Sequence, residues 1–105
     1  MKDGLVFLSG KVSDDKNYHI KFRNAEEYLT KNGFTVLNPI LPETHLLSYR
    51  DYIDLGLTLL SKASMLVQLD ECDSRGCLLE EAYAIAVDMP IVKYEDIVAI
   101  INHLV

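Results

Sequence analysis

Reactive side chains are spread thinly along this 105-residue chain, and the segment 70–81 is where several fall at a spacing that chemistry could use. There the apolar run Met65–Leu69 gives way to Asp70-Glu71-Cys72-Asp73-Ser74-Arg75-Gly76, and a helical pattern starts near Ser74. Open α/β sheets make ligand sites from this sequence of strand, polar turn and helix N-terminus. The turn lies at the carboxyl end of a strand, and the free amides of the first helical turn can receive an anion. Glu80 falls about a turn into the helix and shares a stripe with Gly76, Tyr83, Ala84 and Val87, with no lysine or arginine three or four residues away. An unpaired carboxylate on a small, apolar stripe beside a glycine is a candidate functional group; the alternative is a glutamate that only complements the helix dipole. Glu81 points about 100° away. It shares its side with Cys77, Ala84 and Asp88, and that side reads as solvated. Ser74 fits two roles, a helix N-cap that satisfies an orphan amide or, with Arg75, part of a phosphate site. Arg75 also stands close enough in sequence to offset Asp70, Glu71 and Asp73.

The elements that must position these residues follow from the apolar pattern. Leu5–Leu8 is a continuous apolar run, as expected of a strand covered on both faces in a parallel sheet. Ser9-Gly10-Lys11 opens a polar loop to a helix over 17–32, in which Phe22, Ala25, Tyr28 and Leu29 recur at helical spacing while Lys21, Arg23, Glu26, Glu27 and Lys31 turn largely to water. Gly33 is its stop. Thr35–Leu37 is a second strand, closed by Asn38-Pro39, because proline lacks the amide that pairing needs. A loop containing Pro42 leads to a possible cap at Ser48 and a helix over 49–63, on which Tyr49, Tyr52, Ile53, Gly56, Leu57, Leu60 and Ala63 follow the three-four rhythm and Asp51 and Asp54 face water. After the central strand, turn and helix come a fourth strand over 90–94 and a closing helix over 95–104. The alternation predicts one domain over 1–105: a three-layer, Rossmann-like or flavodoxin-like α/β fold. Its parallel sheet has about four strands in the order 2-1-3-4, with helices on both faces. The ligand crevice then opens between strands 1 and 3, where Ser9, Gly10 and Lys11 meet the turn 70–76.

Composition narrows the partners. Half the residues are hydrophobic and a quarter charged, and the net charge is −6. That balance belongs to a globular chain and argues against a nucleic-acid polymer, which needs a basic face. One small anion on a local nest of amides is compatible with it. Cys72 and Cys77 are five apart and the histidines (His19, His45, His103) are scattered, so neither a metal nor another cofactor is expected, and the thiols read as reduced. No apolar run reaches the ~20 residues of a membrane span and Met1-Lys2-Asp3-Gly4 has no signal-peptide layout, which points to the cytoplasm.

Taken together, Leu8-Ser9-Gly10-Lys11, Phe22, Ala25-Glu26, Gly33-Phe34, Asn38-Pro39, Asp51-Tyr52 and Ser74-Arg75-Gly76 with Glu80 and Ala84 resemble the nucleoside 2-deoxyribosyltransferase-like superfamily, and within it a branch of small proteins with an SGK…NP…SRGxxxE layout. The resemblance spans nearly the whole chain, and Ser74-Arg75-Gly76-x-x-x-Glu80 is its most specific part. It implies cleavage or transfer of the N-glycosidic bond of a (deoxy)nucleoside or its 5′-monophosphate, with Glu80 as nucleophile on the anomeric carbon. It also implies that Ser74 holds a phosphate, with Arg75 and Gly76 beside it, that Ser9, Gly10 and Lys11 line the sugar and phosphate side, and that the protein is a homo-oligomer. The family pattern carries an aspartate just before the third strand, where this chain has Ala63-Ser64. Asp70, at the far end of that strand, is the carboxylate offered in its place.

Overall fold

The computed structural model of the protein describes residues 4–12, 15–41 and 44–104; Met1–Asp3, which have no signal-peptide layout, and Pro42, expected in a loop, lie outside the described residues. The elements run β1 (Leu5–Ser9), α1 (Tyr18–Lys31), β2 (Thr35–Leu37), α2 (Tyr49–Leu60), β3 (Met65–Gln68), α3 (Arg75–Ala86), β4 (Ile91–Lys93) and α4 (Tyr94–Leu104). The sheet is parallel throughout and ordered β2-β1-β3-β4, as expected. β1 and β3 are the central strands, registered Val6 to Met65 through Ser9 to Gln68.

Alternation along those strands builds two cores. Val6, Leu8 and Val67 face α1 and α4, packing with Phe22, Ala25, Leu29 and Ile97. Phe7 and Leu66 point the other way, against Leu60 of α2 and Ala84 of α3. Continuous apolar runs at 5–8 and 65–69 thus serve both faces at once, which is why no alternation is visible in them. Truncating fully buried Phe7 to alanine would cost about 3–5 kcal/mol.

Local chemistry sets the helix ends. Gly33 adopts φ +95°, a conformation other residues resist, and closes α1 while Phe34 N–H returns to Leu29 O at 3.0 Å. Ser48 caps α2 in a reciprocal box: Asp51 N–H donates to Ser48 Oγ (3.1 Å) and Ser48 N–H donates to Asp51 Oδ2 (2.8 Å). Asp51 is therefore a capping residue and not merely a solvated acid. α2 stops at Leu60, a turn short of the expected Ala63, with Ser61, Lys62 and Ala63 forming the turn into β3.

Candidate active site

The carboxyl ends of β1 and β3 open beneath a cleft of about 890 Å³, the crevice expected where strand order reverses. Its walls come from the end of β1 (Leu8, Gly10), α1 (Tyr18, Phe22), the segment after β2 (Ile40, Thr44, His45), one face of α2 and the start of α3. Glu80 is on the α3 wall.

Glu80 is held from below and beside. Ser9, the last residue of β1, donates its hydroxyl to Glu80 Oε1 at 2.6 Å, and Cys77 Sγ lies 3.7 Å from the Ser9 Oγ. On the other side α2 comes in at Gly56, where a Cβ would stand 3.6 Å from Glu80 Oε2. Burial pushes the Glu80 carboxyl up to about 7, although the Ser9 hydroxyl pulls it down. The carboxyl is thus poised to change charge at neutral pH while it faces a space large enough for a small molecule.

Ser9 itself is only 1% exposed and is not among the residues that line the cleft, so it supports Glu80 from behind. Gly10 does line the cleft, and its missing side chain is required. A Cβ there would lie 3.1 Å from both Phe22 Cζ and Asp70 Oδ2. Lys11 turns away from the cleft lining: its amide donates to Asp70 Oδ2 at 2.8 Å and its ammonium lies 3.8 Å from Asp73 Oδ2.

Asp70 is bound up in the same loop. Its Oδ2 also receives Lys21 Nζ at 2.6 Å, and Lys21 donates further to Lys11 O (2.9 Å) and Asp15 Oδ2 (2.8 Å). Lys21 is therefore not turned to water. Burial works against its charge, but Asp15 and Asp70 outweigh burial and hold its proton more tightly than usual. The result ties α1, the β1–α1 loop and the β3–α3 turn into one lip. Asp70 lines a separate depression of about 370 Å³ together with Glu71, Cys72, Glu81 and Glu95. The structure does not bring it into the cleft with Glu80.

Ser74 is the N-cap of α3, its Oγ accepting from Cys77 N–H at 3.3 Å, and it lines the cleft with Arg75 and Gly76. The cap uses a lone pair and leaves the hydroxyl proton for a ligand. The Arg75 guanidinium carbon sits 5.4 Å from the centre of the Tyr49 ring, joining the starts of α2 and α3 at the cleft. Cys77 is buried and Glu81 accepts from Gln68 Nε2 at 2.9 Å, so the side of α3 that the pattern gave to solvent packs on the sheet. Burial also pushes the Cys72 thiol up to about 12, helped by Cys77, Glu81 and Glu80, which keeps it protonated and inert. Both cysteines are free.

Sequence reasoning missed much of the cleft wall. Tyr49, Tyr52, Ile53 and Gly56 read as a core stripe, yet α2 fully buries only Leu60 and presents those residues to the cleft. A glycine inside the stripe was the available signal. His45 gave none, because the turn that carries it has no pattern. Among the described residues no three His, Cys, Asp or Glu side chains are grouped to hold a metal, and no helix is long and apolar enough to cross a membrane.

Comparison with known proteins agrees with this architecture. A domain of unknown function (DUF4406) matches residues 5–93. No curated protein sequence matches the chain. Among solved structures, the chain is similar to a 2-deoxyribosyltransferase from the psychrotolerant bacterium Bacillus psychrosaccharolyticus, described as a biocatalyst for nucleoside synthesis. The two are 19% identical with a TM-score of 0.66, over 86% of this chain and 71% of the other. The shared element is the fold.

Proposed function

We propose that this chain, which belongs to the DUF4406 family, cleaves or transfers the N-glycosidic bond of a (deoxy)nucleoside or its 5′-monophosphate, with Glu80 as nucleophile. One observation carries the reading: a carboxyl raised to about 7, bonded to a buried serine, on the wall of a cleft of about 890 Å³. Attack by the Glu80 carboxylate on C1′ forms a glycosyl ester as the C1′–N bond breaks, and water or a second base then resolves the ester with overall retention. The likeness to a nucleoside-processing enzyme supports the substrate class.

In this reading Ser74, Arg75 and Gly76 receive the phosphate or the 5′ side of the sugar, through the Ser74 hydroxyl, the first amides of α3 and the guanidinium. Gly10 lets the sugar approach the sheet. Ser9, Lys11 and Asp70 act as positioning residues, Ser9 for the carboxylate and the other two for the loop. The exposed Leu55, Leu78, Leu79 and Ile85 of α2 and α3 support a homo-oligomer, which light scattering would show as a mass at least twice 11.9 kDa; a monomer at working concentration would refute it.

Chromatography tests the activity. The purified protein should release free base from deoxynucleosides or their 5′-monophosphates, and Glu80→Ala should abolish release. Full activity in that variant would remove Glu80 from the mechanism. A second reading, a binding module that has lost turnover, is favoured by one fact: no carboxylate other than Glu80 lines the cleft among the described residues. Saturable nucleotide binding with no base released would decide for it.

A further inference from the structure

We propose that His45 is the proton donor to the leaving base, an inference that rests on the N-glycosidic reading above. A nucleobase expelled without a proton departs as an anion, so the reaction needs an acid on the base side of the sugar. Glu80 cannot be that acid in the same step, because its oxygen is forming the bond to C1′ from the opposite side. The proton must come from elsewhere in the cleft.

Besides Glu80, the cleft lining offers three tyrosines, Arg75, Cys77 and His45. A guanidinium does not release its proton in water, and Cys77 is buried against Ser9 behind the wall. The Tyr52 hydroxyl is engaged with Thr44 in both directions, accepting from its amide at 3.3 Å and donating to its carbonyl at 3.4 Å. The Tyr49 ring carries the Arg75 guanidinium. Phenols as a class are also far weaker acids than imidazolium.

His45 has the complementary properties. Its turn is fixed on both sides, by the Thr44–Tyr52 bonds to α2 and by Leu46 N–H donating to Thr44 Oγ1 at 3.1 Å. His45 is exposed and lines the cleft from the β2–α2 segment, whereas Glu80 enters from α3. Imidazole is also the side-chain type that both gives and takes a proton near neutral pH.

The step balances. The Glu80 carboxylate bonds to C1′, the C1′–N electron pair passes to the base nitrogen, and the His45 imidazolium gives that nitrogen a proton. Neutral His45 then takes a proton from the water that attacks C1′, as the ester bond breaks and Glu80 leaves as carboxylate. Both groups return to their starting states.

The test compares a deoxynucleoside with the 4-nitrophenyl glycoside of the same sugar, whose leaving group departs as a stable anion and needs no acid. In kcat/KM, which reports formation of the Glu80 ester and not its later resolution by water, His45→Gln should lose roughly 10²- to 10⁴-fold on the nucleoside and change by less than about threefold on the nitrophenyl glycoside. Glu80→Gln should lose both activities, and added imidazole should restore part of nucleoside cleavage to His45→Ala. If the parent releases base and His45→Gln does so equally well, or if His45→Gln falls equally on both substrates, His45 is not the donor while the N-glycosidic reading stands. If the parent cleaves neither substrate, that reading fails, and the proton donor with it.

Discussion

Replacing Ser9 by alanine removes the hydroxyl that meets Glu80 Oε1 at 2.6 Å without opening the site to solvent, since Ser9 is buried at the end of β1. A hydrogen bond to a charged group contributes about 1.5–3 kcal/mol. At about 1.4 kcal/mol per pKa unit, its loss raises the Glu80 carboxyl by roughly one to two units. From a starting value of about 7, the variant should therefore titrate between roughly 8 and 9. The ionised fraction at pH 7 drops from about one half to between a tenth and a hundredth, so the carboxylate form of Glu80, the attacking form in the proposed reaction, becomes about 5- to 50-fold scarcer. A nitrophenyl glycoside is the right substrate for this measurement, because its rate follows Glu80 ionisation alone. The parent's kcat/KM should rise about tenfold between pH 6 and pH 8 and then level off. In Ser9→Ala the same rise should begin later and reach a similar plateau. Carbon NMR of the Glu80 carboxyl, titrated in both proteins, reads the shift without any turnover. An unshifted or lowered inflection would refute the argument that Ser9 stabilises the charged form. A parent rate that falls as pH rises through neutral would show Glu80 acting as an acid and not as a nucleophile.

The same shift has a cost in stability. A carboxyl whose ordinary value of 4.5 rises to about 7 on folding binds its proton more tightly in the native state, so the Glu80 contribution to native stability is fully present below pH 4.5 and is lost as pH climbs through 7. The loss is on the order of 3 kcal/mol for a group this well buried. In urea melts, Glu80→Gln should therefore gain on the parent between pH 5 and pH 7 and hold a nearly constant advantage above that; parallel curves across pH 5–7 would refute it. Gly56→Ala should show a related trade-off. The new Cβ makes an ordinary 3.6 Å contact with Glu80 Oε2 and relieves a helical glycine, worth about 1 kcal/mol. It also occupies the space beside Glu80, so thermal stability should rise while, in the proposed reaction, base release falls by roughly ten- to a hundredfold. Undiminished turnover would place the substrate elsewhere.

What the sequence made legible, and what it hid, follows from how each residue signals. Strands β1 and β3 could be located because both of their faces are buried, so apolar side chains fill every position. Gly33 and Ser48 announced helix ends because those ends need particular residues. α3 was harder to read. Its inward positions include Cys77, Ala84 and the hydrogen-bonded Glu81, while Leu78, Leu79 and Ile85 face outward, so the usual rule for assigning its sides fails. The contact between Ser9 and Glu80 spans 71 residues, and no local pattern carries such information. Lys21 shows the same limit: a lysine on a helix surface looks solvated until the three acceptors around it are known.

Position 64 shows how topology revises an argument made from motifs. A serine where the family pattern carries an aspartate reads, in sequence, as the loss of a catalytic group. In the fold, however, Ser64 N–H and Oγ both donate to Leu5 O, at the amino end of β1. Glu80 meets the opposite end of that strand at Ser9. Four residues of extended chain separate the two ends by about 13 Å. A carboxylate at 64 would project from the wrong edge of the sheet, so serine there neither removes a group from the cleft nor argues against turnover. In the proposed reaction, a second catalytic group would come from a segment that reaches the carboxyl ends of the strands: the loop after β1, the segment after β2, the cleft face of α2, or the turn before α3. Asp70, in the last of these, is committed to Lys21 and to the Lys11 amide. The segment after β2 is the one that brings a histidine to the cleft.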